Sequence, residues 1–122
     1  IRQKFGAKML KKTHAEKFIL KNLKKENIYF ILADQVPENL NNVHKSSFLK
    51  LTTSFSTGVE RLSLKINATV LYADMRKIKK GVYNIEFYKI NNNITENYVK
   101  KLEKTILKAP ENWLWSHNRW KR

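Results

Sequence analysis

The sequence predicts an α/β fold in which a mixed sheet carries helices on its faces. Hydrophobic residues make up 42% of the 122 residues and are spread along the whole length, so the chain can bury a core. Short apolar runs typical of strands alternate with segments whose apolar residues recur every three or four positions, as in helices. The resulting order, β-α-β-α-β-β-α, is typical of helices packed on a sheet.

The first half of the chain predicts a strand, a helix and a second strand. The stretch FGAKML, residues 5–10, has strand character. Thr13 followed by Glu16 forms a capping box for a helix. NIYFILAD, residues 27–34, is a continuous apolar run ending in an acid, which predicts a buried parallel strand with its carboxyl end at Asp34. The predicted helix face carries Ala15, Phe18, Ile19 and Leu23.

The middle of the chain predicts a loop, a helix and a hairpin. Residues 35–47, QVPENLNNVHKSS, are polar and interrupted by Pro37, which predicts a loop. ATVLYADMRK and GVYNIEFYKI predict two strands, residues 68–77 and 81–90, with Gly81 in the turn that joins them. The helix between loop and hairpin should carry Phe55, Val59, Leu62 and Ile66 on one face.

A last helix is predicted after the hairpin. Thr95 is the expected N-cap, and Pro110 should end the helix. Its inward face should carry Val99, Leu102 and Ile106. We expect residues 1–122 to form a single domain or the C-terminal part of one, with residues 110–122 as an aromatic and basic tail.

The net charge of +15 favours polyanionic partners such as anionic lipid, phosphorylated substrates or nucleic acid. Twenty of the 25 basic residues are Lys, whose strongly hydrated ammonium group is also common on an ordinary solvated surface. The absence of Cys excludes a disulfide scaffold, a thiolate zinc site and a cysteine nucleophile. No apolar run reaches the roughly 18–20 residues that span a bilayer, so we expect a soluble or peripheral chain.

Catalytic and cofactor motifs are scarce. The three histidines are not clustered with carboxylates, and with only three glycines no Gly-rich phosphate loop occurs. We therefore expect neither a metal nor a cofactor. Asp34 and Gln35 follow a predicted strand and precede a long loop, where ligands bind in open α/β sheets. The alternative is that Asp34 only caps that loop.

The C-terminal tail, PENWLWSHNRWKR, combines three tryptophans with a histidine, two arginines and a lysine. Three interpretations follow from this composition. The tail could stack nucleic-acid bases, anchor the chain at a membrane surface, or pack against the fold. Because tryptophans are more often packed than exposed, we expect at least one of the three to pack.

The tail resembles the C-terminal signature of the bacterial lipid A biosynthesis acyltransferases, the lauroyl and myristoyl transferases of lipopolysaccharide assembly. One position departs from the signature: Asn118 stands where the family usually has Arg. Three further blocks are similar to the family: Arg2 with Phe5-Gly6, the run FILADQVPEN, and Thr57-Gly58 with the strand that follows. The matching positions in the tail are Pro110, Glu111, Trp113, Trp115, His117, Arg119, Trp120 and Lys121.

The resemblance implies an acyltransferase-like fold, here the C-terminal half and so an incomplete domain. It implies a fatty acyl donor on acyl-carrier protein or acyl-CoA, and a lipid A precursor as acceptor. It also implies a parent enzyme at the cytoplasmic face of the bacterial inner membrane, in contact with an anionic membrane surface. No nucleic acid partner is expected; the alternative is a small basic nucleic-acid-binding or non-catalytic interaction module.

The family's catalytic pair is a His followed five positions later by Asp or Glu, where the imidazole acts as general base on a hydroxyl. Five positions after His14, His44 and His117 stand Ile19, Leu49 and Arg122. We therefore expect no catalytic residue in this chain and no activity from it alone. The resemblance assigns substrate binding to Arg2, Asp34 and Gln35. From the cations and aromatic rings of the tail, we expect membrane or headgroup contact by Trp115, His117, Arg119 and Lys121.

Overall fold

The computed structural model of the chain describes residues 3–24 and 26–120. The chain divides into two compact units, an N-terminal unit of residues 1–30 and a C-terminal unit of residues 31–122. Each is described by itself. The assignment of residues 1–122 to one domain, with residues 110–122 as a tail, stays a prediction.

The N-terminal unit contains one helix, α1, Lys12–Lys21. Its buried residue is Ile19, one of the four predicted for the inner face. The predicted capping box does not form: Lys11 is the N-cap, and Thr13 lies inside the helix beside the His14 ring. At the other end, Asn22 closes the helix by donating its side-chain amide to the carbonyl of Phe18 at 2.8 Å.

The two strands predicted in the first 34 residues are not observed. Residues 5–10 and 27–34 have no strand assignment, although the second segment is mostly apolar. Ile28 is 99% exposed and Phe30 is 79% exposed. A strand requires a neighbour for its backbone N–H and C=O groups, and hydrophobic composition alone does not provide one.

After a 3-10 turn, Leu40–Asn42, the C-terminal unit forms a hairpin that the sequence did not predict. Strands β1, Val43–Phe48, and β2, Leu51–Ser56, pair antiparallel with Phe48 opposite Leu51. The predicted loop over residues 35–47 is therefore wrong after residue 42, and Phe55 lies on a strand instead of a helix. Leu49 and Lys50 form the turn with φ of 51° and 65°, a conformation that usually attracts Asn and Gly.

The remaining elements agree well with the sequence. Helix α2 is Gly58–Ile66, and strands β3, Val70–Lys79, and β4, Val82–Ile90, form the predicted hairpin. Gly81 has a φ of 77°, which suits the turn between them. Helix α3, Ile94–Lys108, ends just before the 3-10 turn Pro110–Asn112.

Helix α3 organises the core of the C-terminal unit. Its buried face contacts the β1–β2 hairpin through Val99, Leu102 and Ile106, which pack with Phe48 and Phe55. Its first turn contacts the β3–β4 hairpin in a second cluster, made by Tyr72, Ile90 and Ile94. The α/β class is confirmed. In the described part of the chain, however, the strands form two separate two-stranded antiparallel sheets.

The N-terminus of α3 is capped by a side chain from another helix. Glu60 of α2 accepts hydrogen bonds from the backbone N–H of Ile94 at 3.1 Å and of Thr95 at 3.3 Å, and from the Thr95 hydroxyl at 2.5 Å. The Thr95 hydroxyl bond is the main reason why the pKa of Glu60 is lowered. The prediction that Thr95 is the N-cap residue is therefore wrong: Asn93 is the N-cap, and Thr95 donates hydrogen bonds to the capping carboxylate.

Within the described residues, no helix is both long and apolar enough to cross a membrane.

Candidate functional site

The C-terminal tail folds back onto the segment that carries Asp34. Arg119 is 6% exposed, and its Nη1 donates a hydrogen bond to the backbone carbonyl of Asp34. Its Nη2 reaches the carbonyl of Ser54 in β2 at 3.5 Å. One guanidinium therefore joins the tail, the Asp34–Pro37 corner and the first sheet.

Aromatic rings pack against the Arg119 guanidinium. Its Cζ lies 4.3 Å from the centroid of the Phe55 ring and 5.5 Å from that of Phe48, distances typical of cation–π contacts. Burial lowers the pKa of Arg119, while the nearby Tyr98 and Asp34 act in the opposite direction. The same burial raises the pKa of the Tyr98 hydroxyl.

The three tryptophans of the tail have different surroundings. Trp120 donates its indole N–H to the hydroxyl of Thr53 at 2.8 Å, and Trp113 packs edge-on against Phe48 at 6.3 Å between centroids. Trp115 donates to the carbonyl of Pro110 at 2.7 Å but remains 54% exposed. Two tryptophans therefore pack, and one presents its ring to solvent.

A cavity of about 140 Å³ lies between the tail and the Asp34–Pro37 corner. We call it the tail cavity. Its polar groups are the Arg119 guanidinium and the hydroxyls of β2, and its apolar wall includes Trp120. The lining consists of Val36, Leu40, Thr52, Thr53, Ser54, Arg119 and Trp120. The residue types suit binding of a small mixed-polarity group and include no general base.

A sequence model described as bacterial lipid A biosynthesis acyltransferase matches residues 1–122. The chain belongs to this family. The resemblance drawn from the Asp34–Pro37 corner, the Thr57-Gly58 block and the tail is thereby confirmed. Searches of curated proteins and of solved structures return no match to the chain.

In this acyltransferase-family chain, the predicted substrate-binding residues lie beside the tail cavity or outside the described residues. Asp34 is half-buried and precedes the lining residue Val36 by two positions, while the Gln35 side chain is exposed. Arg2 lies outside the described residues. The roles assigned to the three residues stay predictions.

The predicted headgroup residues are not equally accessible. Trp115 is exposed and His117 is half-buried, with its Nε2 buried and without a hydrogen-bond partner among the described residues. Arg119 directs its Nη donors to protein carbonyls. Lys121 lies outside the described residues. Headgroup contact by these four residues also stays a prediction.

One histidine–carboxylate pair was missed by sequence reasoning. His44 Nε2 of β1 lies 2.5 Å from a carboxylate oxygen of Glu96 in α3, although the residues are 52 positions apart. No local pattern could reveal that contact. Glu96 also forms an ion pair with Lys100 at 3.0 Å. The pKa of Glu96 is lowered, mainly by Lys100 and to a smaller extent by His44. The pair joins β1 to the first turn of α3 and does not have the spacing of the family's catalytic pair.

No group of three His, Asp or Glu side chains in the described ranges is arranged to hold a metal ion.

Proposed function

We propose that this chain supplies substrate-binding surfaces to an acyltransferase that moves a fatty acyl chain from a thioester donor to a lipid A precursor. Membership of the lipid A acyltransferase family supports the reaction class. The observation that carries the proposal is the contact between two family blocks: Arg119 of the tail hydrogen-bonds the Asp34 carbonyl at the edge of the tail cavity. Acyl-carrier protein or acyl-CoA is the proposed donor.

The residue types in this chain support a role in substrate binding, with the general base supplied by another part of the protein. A hydroxyl that attacks a thioester needs a general base within hydrogen-bond reach. None of the three histidines has an acid five positions later, and the tail cavity is lined by hydroxyls, a guanidinium and apolar groups. We propose that a His-x-x-x-x-Asp or His-x-x-x-x-Glu pair elsewhere in the same protein supplies the base. The protein would act at the cytoplasmic face of the bacterial inner membrane.

Acyl transfer measured in the intact protein tests the role of the Asp34–Pro37 corner. Asp34→Ala should reduce kcat/KM by about tenfold or more, because the corner positions the tail cavity and its carboxylate is assigned to substrate. Residues 1–122 alone should give no turnover. Glu26→Ala is the matched control, since Glu26 is an exposed acid outside the blocks that resemble the family. Wild-type rates for Asp34→Ala, or turnover by residues 1–122 alone, would contradict the proposal.

The exposed ring of Trp115 and the net charge of +15 support contact between the tail and an anionic membrane surface. We expect co-sedimentation with anionic vesicles that weakens as salt rises, and weaker co-sedimentation for Trp115→Ala. Leu114→Ala is a suitable control, because Leu114 is also exposed but has no aromatic ring. Equal binding to neutral vesicles at all salt concentrations would rule out this contact.

The tryptophan positions disfavour the nucleic-acid-binding alternative. A stacking platform for single strands needs exposed aromatic faces beside cations. Trp120 is bound to Thr53 and Trp113 packs on Phe48, so of the tail tryptophans Trp115 alone presents an exposed ring.

A further inference from the structure

A second cavity, of about 100 Å³, lies between α3 and the β3–β4 hairpin. We call it the basic pocket. Helix α3 lines it with three lysines at spacings of three and four, which places them on one face of the helix. Strand β3 adds an arginine. The four cations are Arg76, Lys101, Lys104 and Lys108.

The carboxylate that lines the basic pocket is already engaged. Asp74 is 6% exposed and accepts from Arg76 Nη2 at 2.8 Å, Arg76 Nε at 3.2 Å and the Thr105 hydroxyl at 3.0 Å. Burial alone would raise the pKa of Asp74, but the hydrogen bonds from Arg76 and Thr105 outweigh it and the pKa is lowered. Asp74 therefore stays ionised and is occupied by protein donors.

Positive charge remains in excess in the basic pocket. Four cations face the one lining carboxylate, which leaves 4 − 1 = +3. Glu86, at 3.8 Å from Arg76, offsets one further charge from outside the lining. Lys101 lies over the Tyr88 ring at 4.5 Å, and none of the described residues forms an ion pair with Lys104. Like charges three and four positions apart on one helix face repel each other, so an anion between these lysines is favoured.

We infer that the basic pocket binds a phosphomonoester group. A phosphate carries up to two negative charges and three acceptor oxygens, which match the ammonium donors of Lys101, Lys104 and Lys108. Arg76 holds Asp74 in place and keeps the pocket's shape. Only the source of the phosphate rests on the proposed function. Under that function the group is either a phosphate on a hexosamine of the acceptor or the ribose 3′-phosphate of a coenzyme A donor.

Calorimetric titration of the 122-residue chain tests this inference with three probes: inorganic phosphate, a hexosamine 1-phosphate and coenzyme A, whose ribose 3′-phosphate is a monoester. The double variant Lys104→Gln and Lys108→Gln should bind the phosphate probes about tenfold more weakly, or worse, because charge-assisted contacts are lost. The matched control is Lys45→Gln with Lys89→Gln. It removes the same charge from exposed positions on β1 and on β4, where Lys89 points to the opposite side of the strand from Tyr88.

The outcomes separate the inference from the proposed function. Tighter binding of the hexosamine phosphate assigns the pocket to the acceptor, and tighter binding of coenzyme A assigns it to the donor. No binding by the wild type, or equal weakening in the control variant, would overturn the inference. Tighter, lysine-dependent binding of a short single-stranded oligonucleotide would do so as well. Acyl transfer by the intact protein is measured in a separate assay. Failure of phosphate binding therefore contradicts the inference and not the proposed function.

Discussion

Arg119→Ala is expected to lower the free energy of unfolding of the C-terminal unit by about 2–4 kcal/mol. The variant loses the hydrogen bonds to the carbonyls of Asp34 and Ser54 and the packing of the guanidinium on Phe55. The carbonyls of Asp34 and Ser54 lose the guanidinium donor and lie beside a new cavity. Part of this loss is offset because the variant no longer buries a cation whose pKa is lowered by desolvation. Urea unfolding followed by tryptophan fluorescence measures the difference.

Two further variants show which part of the Arg119 side chain matters. Asn118→Ala changes an exposed neighbour in the tail and should leave the unfolding midpoint unchanged. Arg119→Met keeps much of the volume and the contact with Phe55 but removes the donors. It should fall between the wild type and Arg119→Ala. If Arg119→Met is as stable as the wild type, the guanidinium hydrogen bonds do not hold the tail on the Asp34–Pro37 corner.

Glu60→Ala is expected to destabilise the C-terminal unit by about 1–2 kcal/mol, the usual cost of removing a helix cap. The variant leaves the N–H groups of Ile94 and Thr95 without their acceptor at the start of α3. Because α3 packs on both hairpins, a frayed first turn also loosens the cluster of Tyr72, Ile90 and Ile94. Thermal unfolding measures the effect. Arg61→Ala, an exposed change on the same helix, is the control.

The pH dependence of the same cap gives an independent check. The folded-state pKa of Glu60 lies below its ordinary value of 4.5, so the carboxylate's stabilisation is present above that value. It is lost as the pH falls through the lower folded-state pKa. The stability difference between the wild type and Glu60→Gln should therefore be full at neutral pH and shrink in acid. A difference that stays constant down to strongly acidic pH would show that the charge of Glu60 plays no part in the cap.

Sequence reasoning succeeded where local pattern and tertiary environment agree. The β3–β4 hairpin has two runs rich in β-branched and aromatic residues, and Gly81 meets the positive φ of the turn. Helix α3 was predicted with the right inward residues because Val99, Leu102 and Ile106 follow one helical face. The family was indicated by the tail together with three further blocks: Arg2 with Phe5-Gly6, the run FILADQVPEN, and Thr57-Gly58 with the strand that follows.

Sequence reasoning failed where an element depends on a distant partner. The runs around Ile28 and Phe30 are apolar enough for a strand, yet no described strand pairs with them. By contrast, β1 and β2 are mostly Ser, Thr and other polar residues, and they pair because Phe48 and Phe55 both reach the core under α3. Glu103 of α3 also accepts from the backbone N–H of Leu49 at 2.5 Å, which holds a turn without Asn or Gly.

The sequence by itself determined the α/β class, the second hairpin, helix α3 and the family, because these depend on periodicity, turn chemistry and short motifs that lie within a few residues of each other. Tertiary structure alone decided that Glu60 caps α3, that Arg119 closes on the Asp34 carbonyl and that three lysines of α3 meet Arg76 across a pocket. The physical reason is that a hydrogen bond or a charge cluster between remote positions costs loop entropy and is stable only when packing has already brought the partners together.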